Sequence, residues 1–129
     1  MNHATTQEQL RQLTEPMANL PLYVALRRTI DAALMTPELL LEHLRWMVRQ
    51  EAQGTIFASG PFDQPGRPRG AVGGLTVLRV DDEDAARRLL ADDPFIRSGA
   101  VDFELRRWIL MEGSPDLQVR LSGQPAADR

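Results

Sequence analysis

The order in which two hydrophobic periods follow one another constrains this chain most. Four stretches alternate apolar and polar residues with a period of two: Leu20 to Arg28, Thr55 to Gly60, Ala71 to Val80 and Ala100 to Met111. Two others, Pro37 to Gln53 and Asp82 to Ala91, repeat with a period near 3.6. Strands and helices therefore follow the order β-α-β-β-α-β, the split βαβ pattern of a ferredoxin-like α+β sandwich. Such a sandwich is a four-stranded antiparallel sheet with two helices on one face. Its other face, where it carries apolar side chains, needs cover that a second subunit can supply.

The punctuation agrees with this order. Thr36 and Pro37 suit a helix N-cap and first position, and Gly54 a helix end. Leu40, Leu44, Met47 and Val48 form the expected apolar stripe of that helix, with Leu39 and His43 on its edge. In the first strand Leu20, Leu22, Val24 and Leu26 share a face. Asp81 to Asp84 crowd the positive end of the second helix, where the dipole favours them, and read as caps rather than a metal site. Pro61 to Gly70 holds three prolines and two glycines, so it is an exposed loop. Gly73-Gly74 weakens an ordinary strand and marks a bulge, or a close approach of a ligand or another backbone.

Residues 1–18 read as a leader whose Thr5 and Glu8 form a capping box. Residues 19–112 form the domain. Residues 113–129 form a tail in which 117–121 alternate as a short extra strand, with disorder expected from Ser122 onward.

Composition narrows the function. The net charge is −3 with no basic run, which argues against a nucleic-acid partner. No apolar run approaches the roughly 20 residues that span a bilayer. The start of the chain lacks a signal-peptide pattern, so a cytoplasmic protein without membrane partners is expected. There is no cysteine, hence no thiolate nucleophile or ligand, and the two histidines, His3 and His43, are far apart in sequence. A metal site or other cofactor is not expected.

The remaining chemistry centres on Ala91-Asp92-Asp93-Pro94-Phe95 and on His43. Asp93 before Pro94 is an N-cap for a short turn, and a histidine on the edge of an apolar helix face is commonly structural. Paired, however, the two make a general acid–base unit: the carboxylate fixes the imidazole tautomer and stabilises its protonated form.

Four motifs in sequence order carry a resemblance: Glu42-His43-Leu44-Arg45-Trp46-Met47, Ala58-Ser59-Gly60-Pro61-Phe62, Ala91-Asp92-Asp93-Pro94-Phe95 and Val101-Asp102-Phe103-Glu104-Leu105-Arg106-Arg107-Trp108. Over roughly residues 20–112 the chain resembles the YCII-related (YciI-like) family. The resemblance implies a dimeric α+β barrel, two ferredoxin-like sheets packed face to face, and places the family histidine on His43 and the family aspartate on Asp93. It implies a small-molecule substrate; one member type eliminates HCl from a chlorinated hydroxyquinol. Muconolactone isomerases and small monooxygenases share the barrel by fold analogy.

The expected function is a cofactor-independent lyase or isomerase working on a cyclic or unsaturated carbonyl or phenolic compound. His43 would be its acid–base and Asp93 its orienting partner. Ser59, Gly73 and Gly74 are candidate substrate contacts, and Arg67 and Arg69 a candidate lid over an acidic ligand. A non-catalytic binding or assembly module on the same barrel, and a cofactor-free monooxygenase, are the competing readings. A homodimer is expected, with higher assembly open.

Overall fold

β1 (Leu20–Thr29) is the longest unbroken alternation near the start of the chain, and the sheet is built around it. It pairs antiparallel with β3 (Gly74–Leu78) on one side and with β4 (Val101–Leu110) on the other. β2 (Ile56–Pro61) pairs with β3 at the edge, giving the order β2-β3-β1-β4. Helices α2 (Pro37–Ala52) and α3 (Glu83–Ala91) make the two crossovers, which completes the ferredoxin-like α+β arrangement. Two further helices are added, α1 (Thr6–Thr14) and α4 (Pro94–Arg97), with a 3-10 turn at Ala32–Leu34. The computed structural model describes residues 3–114, Leu121 and Gly123. The strand expected at 117–121 and most of the tail therefore lie outside the described residues.

The helices begin where their caps dictate. Thr36 accepts from the Leu39 amide and Asp82 from the Ala85 amide, each filling a donor that the first helical turn leaves open. Thr5 and Glu8 form both bonds of a capping box at α1, a helix that buries none of its residues.

The core lies between α2, α3 and one face of the sheet. Tyr23 and Ala25 of β1 and Leu78 of β3 meet Trp46 and Met47 of α2 and Ala86 and Leu90 of α3. A smaller cluster of Phe95, Ala100 and Val101 closes one end.

Two details of register decide what faces this layer. The first concerns β1: Leu22 pairs with Trp108 and Val24 with Arg106, so the even-numbered aliphatic residues turn to the opposite face. The helix side receives Tyr23, Ala25 and, next in alternation, Arg27, which is buried. The second is a bulge between Ile56 and Ala58 on β2. One extra residue reverses the alternation, so that Ser59 comes to lie opposite Thr76 on the helix side.

Helix α2 is also rotated relative to its aliphatic stripe. Leu40 and Leu44 are exposed, while Trp46 and Met47 are buried and Leu39 and His43 are partly so. These four positions share a helical face, on which Trp46 and His43 stand beside Leu39 and Met47 in place of Leu40 and Leu44. A count of aliphatic residues alone misplaces the face.

The turn before β3 runs from Gly70 to Gly73, which delays the strand to Gly74. Gly73 has φ +117°, and a Cβ there would stand 1.9 Å from the Arg27 carbonyl oxygen. A Cβ at Gly74 would stand 2.6 Å from the Gly60 carbonyl oxygen. Both glycines therefore let the chain's own backbones approach closely.

Candidate active site

The site starts from a helix that cannot continue. α3 stops at Ala91, and Pro94 opens α4 two residues after its C-cap Asp92. The residue between, Asp93, is held extended, as residues before proline are. Its side chain turns inward and is fully buried.

Three donors meet the Asp93 carboxylate. The Phe95 amide donates to Oδ1 at 3.0 Å, the N-cap bond read from the sequence. His43 Nδ1 lies 2.7 Å from the same oxygen. Arg27 Nη1 donates to Oδ2. An ionised carboxylate only accepts, so His43 meets it with a proton on Nδ1, and in the neutral ring Nε2 is then the free base.

The imidazole ring is clamped as well as hydrogen-bonded. It stacks on Phe95 with centroids 3.8 Å apart and planes 5° apart, and Trp46 lies one helical turn on at 6.2 Å. The His43 side chain is 12% exposed, whereas Asp93 behind it is fully buried.

Behind the dyad lies a polar chain that crosses the sheet. Arg27 Nε donates to Thr76 Oγ1 at 2.7 Å, and Thr76 Oγ1 lies 2.9 Å from Ser59 Oγ. Ser59, Thr76, Arg27, Asp93 and His43 thus form one connected network contributed by β2, β3, β1, the α3–α4 junction and α2. The guanidinium lies over the Trp46 ring, 5.9 Å from its centroid.

Burial by itself would push the Asp93 carboxyl up. The hydrogen bond from His43 and the Arg27 charge outweigh it and hold the group below its ordinary 3.8. The folded state therefore releases this proton more readily than the unfolded chain. Its stabilising effect is complete above pH 3.8 and is lost as the pH falls through the lower folded value. Urea midpoints measured from about pH 6 to about pH 3 should drop more steeply for the native protein than for Asp93→Asn. Parallel curves would contradict an ionised, paired Asp93.

Of the residues singled out from the sequence, His43 and Asp93 touch, and Ser59 joins them through Thr76 and Arg27. Gly73 sits against the Arg27 backbone and Gly74 against that of Gly60. Arg67 and Arg69 lie on the exposed loop and take no part in the network. Arg27 and Thr76 were not anticipated. The signal was present: Arg27 follows Tyr23 and Ala25 on one face of β1, and a charge in a core-facing position demands a buried partner.

A model of the YCII-related domain matches residues 22–109, a span that contains all five residues of the network. The chain belongs to the YCII-related family. Among solved structures, this YCII-related protein is similar to the 5-chloro-2-hydroxyhydroquinone dehydrochlorinase (TftG) from Burkholderia phenoliruptrix AC1100, in complex with 2,5-dihydroxybenzoquinone. The two are 20% identical with a TM-score of 0.56, over 67% of this chain and 92% of the other. At that identity the likeness is one of fold. No curated protein matches the chain. Among the described residues no group of three His, Cys, Asp or Glu side chains is placed to hold a metal ion, and no helix is long and apolar enough to cross a membrane.

Proposed function

We propose that this YCII-related protein is a small enzyme, lyase- or isomerase-like, that moves a proton on a cyclic carbonyl or phenolic compound. One observation carries the reading: His43 Nδ1 lies 2.7 Å from a buried carboxylate that is also paired with Arg27. Nε2 is then a base held in one orientation. It takes a proton from a substrate hydroxyl or from carbon beside a carbonyl, and the imidazolium formed is stabilised by Asp93. His43 returns that proton to another atom in an isomerisation, or to solvent after a leaving group departs in an elimination.

The dehydrochlorinase neighbour makes chlorinated hydroxyquinols the first substrates to test. Loss of HCl from such a ring breaks two O–H bonds and the C–Cl bond and forms one C–H bond: one proton moves to the carbon that carries chlorine, chloride leaves with the C–Cl electron pair, and the base receives the other proton as the quinone forms. The working unit is proposed to be a homodimer closing on the sheet face opposite the helices, where Trp108 is exposed and Val24 half-buried. Light scattering of the full chain checks the mass.

The test of the activity is chloride release from 5-chloro-2-hydroxyhydroquinone with oxygen consumption followed in parallel. The expected result is chloride release without oxygen uptake, reduced about 10²- to 10⁴-fold in His43→Gln. Equal rates in the variant sink the acid–base role. Oxygen uptake favours a monooxygenase, and tight ligand binding without turnover across the substrate class favours a binding module.

A further inference from the structure

Arg27 has more donors than its partners use. The side chain is 7% exposed. Nε is taken by Thr76 and Nη1 by Asp93, yet Nη2 is fully covered and has no acceptor. The indole N–H of Trp46, in the ring beneath the guanidinium, is likewise buried without an acceptor. Buried N–H groups are nearly always paired, and a guanidinium cannot lose its proton to relieve the mismatch. Two such donors lie on residues whose guanidinium and ring stack, and each suits an acceptor from outside the chain.

Charge specifies that acceptor further. Arg27 and Asp93 cancel, and a neutral His43 leaves the site uncharged. An anion arriving alone would unbalance it. A neutral hydroxyl compound that surrenders its proton on binding would not: its O–H bond breaks, a bond to His43 Nε2 forms, and two cations face two anions.

We infer that Arg27 Nη2, assisted by the Trp46 indole N–H, is an oxyanion subsite that takes the ionised oxygen of a phenol or enol whose proton His43 has accepted. The ligand enters where His43 is part-exposed and Ser59 exposed. The proposal rests on the reading of His43 as a base, but it concerns binding and needs no turnover.

The test uses 4-nitrophenol, whose anion absorbs apart from the neutral form, titrated with the full-chain protein about one pH unit below its solution pKa. Native protein should draw the probe into its anionic form and shift its apparent ionisation down by about one pH unit or more. Arg27→Lys keeps a positive charge for Asp93 while removing the spare N–H. It should bind the anion about tenfold more weakly. Trp46→Phe keeps the ring and should lose roughly threefold. His43→Gln should lose the downward shift.

No anionic probe on the native protein at millimolar concentrations overturns the proposal. So does binding indifferent to both Arg27→Lys and Trp46→Phe, which means that the two donors hold buried water only. Should Arg27→Lys fail to fold, Trp46→Phe and the native titration decide. Anion binding without chloride release leaves the subsite standing and removes the dehydrochlorinase reading. Chloride release with indifferent binding does the reverse.

Discussion

Asp93→Asn is expected to lower the unfolding free energy by about 3–5 kcal/mol, the usual cost of removing one member of a buried ion pair. The size follows from what remains. Arg27 keeps its charge inside the core, 7% exposed, with a neutral amide in place of the carboxylate that Nη1 met. The amide can still accept at one atom, but its NH2 group either faces the Arg27 donor or drives the His43 proton onto Nε2. The contrasting case is the Arg28–Asp102 pair, equally well formed at 2.7 Å but with side chains 73% and 43% exposed. Water and salt screen that pair, and Asp102→Asn should leave the urea midpoint almost unmoved. In activity, Asp93→Asn should resemble His43→Gln, because the imidazole loses both its fixed tautomer and the charge that stabilises its protonated form. Urea unfolding of both variants and of Arg27→Met/Asp93→Leu checks the first claim. The double variant should recover part of the loss, since two apolar groups leave no charge unpaired.

Gly73→Ala is the second large effect, and it arises far from any titrating group. An added methyl would stand 1.9 Å from the Arg27 carbonyl oxygen and 2.7 Å from its carbonyl carbon, both backbone atoms that cannot swing aside. The φ of +117° is also one that alanine rarely adopts. Overpacking and backbone strain each contribute about 1–3 kcal/mol, so a loss of about 2–6 kcal/mol is expected. The affected backbone is that of Arg27, so a folded fraction of this variant should also show reduced activity. Gly66→Ala is the control: its φ is +82° but nothing lies within 4 Å, so it carries the strain without the clash. Thermal melts of the two variants side by side separate these contributions. Equal melting points would mean that the β1 backbone yields without cost.

The fold was legible because each element states its period and its caps in a few residues. The alternation of Ala100 to Met111, Thr36-Pro37 before α2 and the acidic start of α3 are all local signals. Half of the site was local too. The Asp-Pro-Phe turn that caps α4 is the same turn that aims Asp93. What stayed hidden depends on register. The aliphatic residues of β1 suggested one face for its core contacts, and the pairing with β4 turned them to the other, which brought Arg27 inward. The bulge at Phe57 cannot be read from the β2 pattern, yet it decides that Ser59 meets Thr76. The rotation of α2 has the same origin: His43 follows a carboxylate 50 residues away rather than the hydrophobicity of its own helix.

The central claim is that a buried, ionised Asp93 holds the His43 proton on Nδ1 and keeps Nε2 free. The most direct measurement is the imidazole ¹⁵N spectrum of the full chain at alkaline pH, with His43 assigned through His43→Gln and repeated on Asp93→Asn. The account predicts that His43 in the native protein is in the Nδ1–H form and that Asp93→Asn shifts it toward a mixture of tautomers. A native His43 protonated on Nε2, or one indifferent to Asp93→Asn, would contradict the account and leave the pair as packing alone.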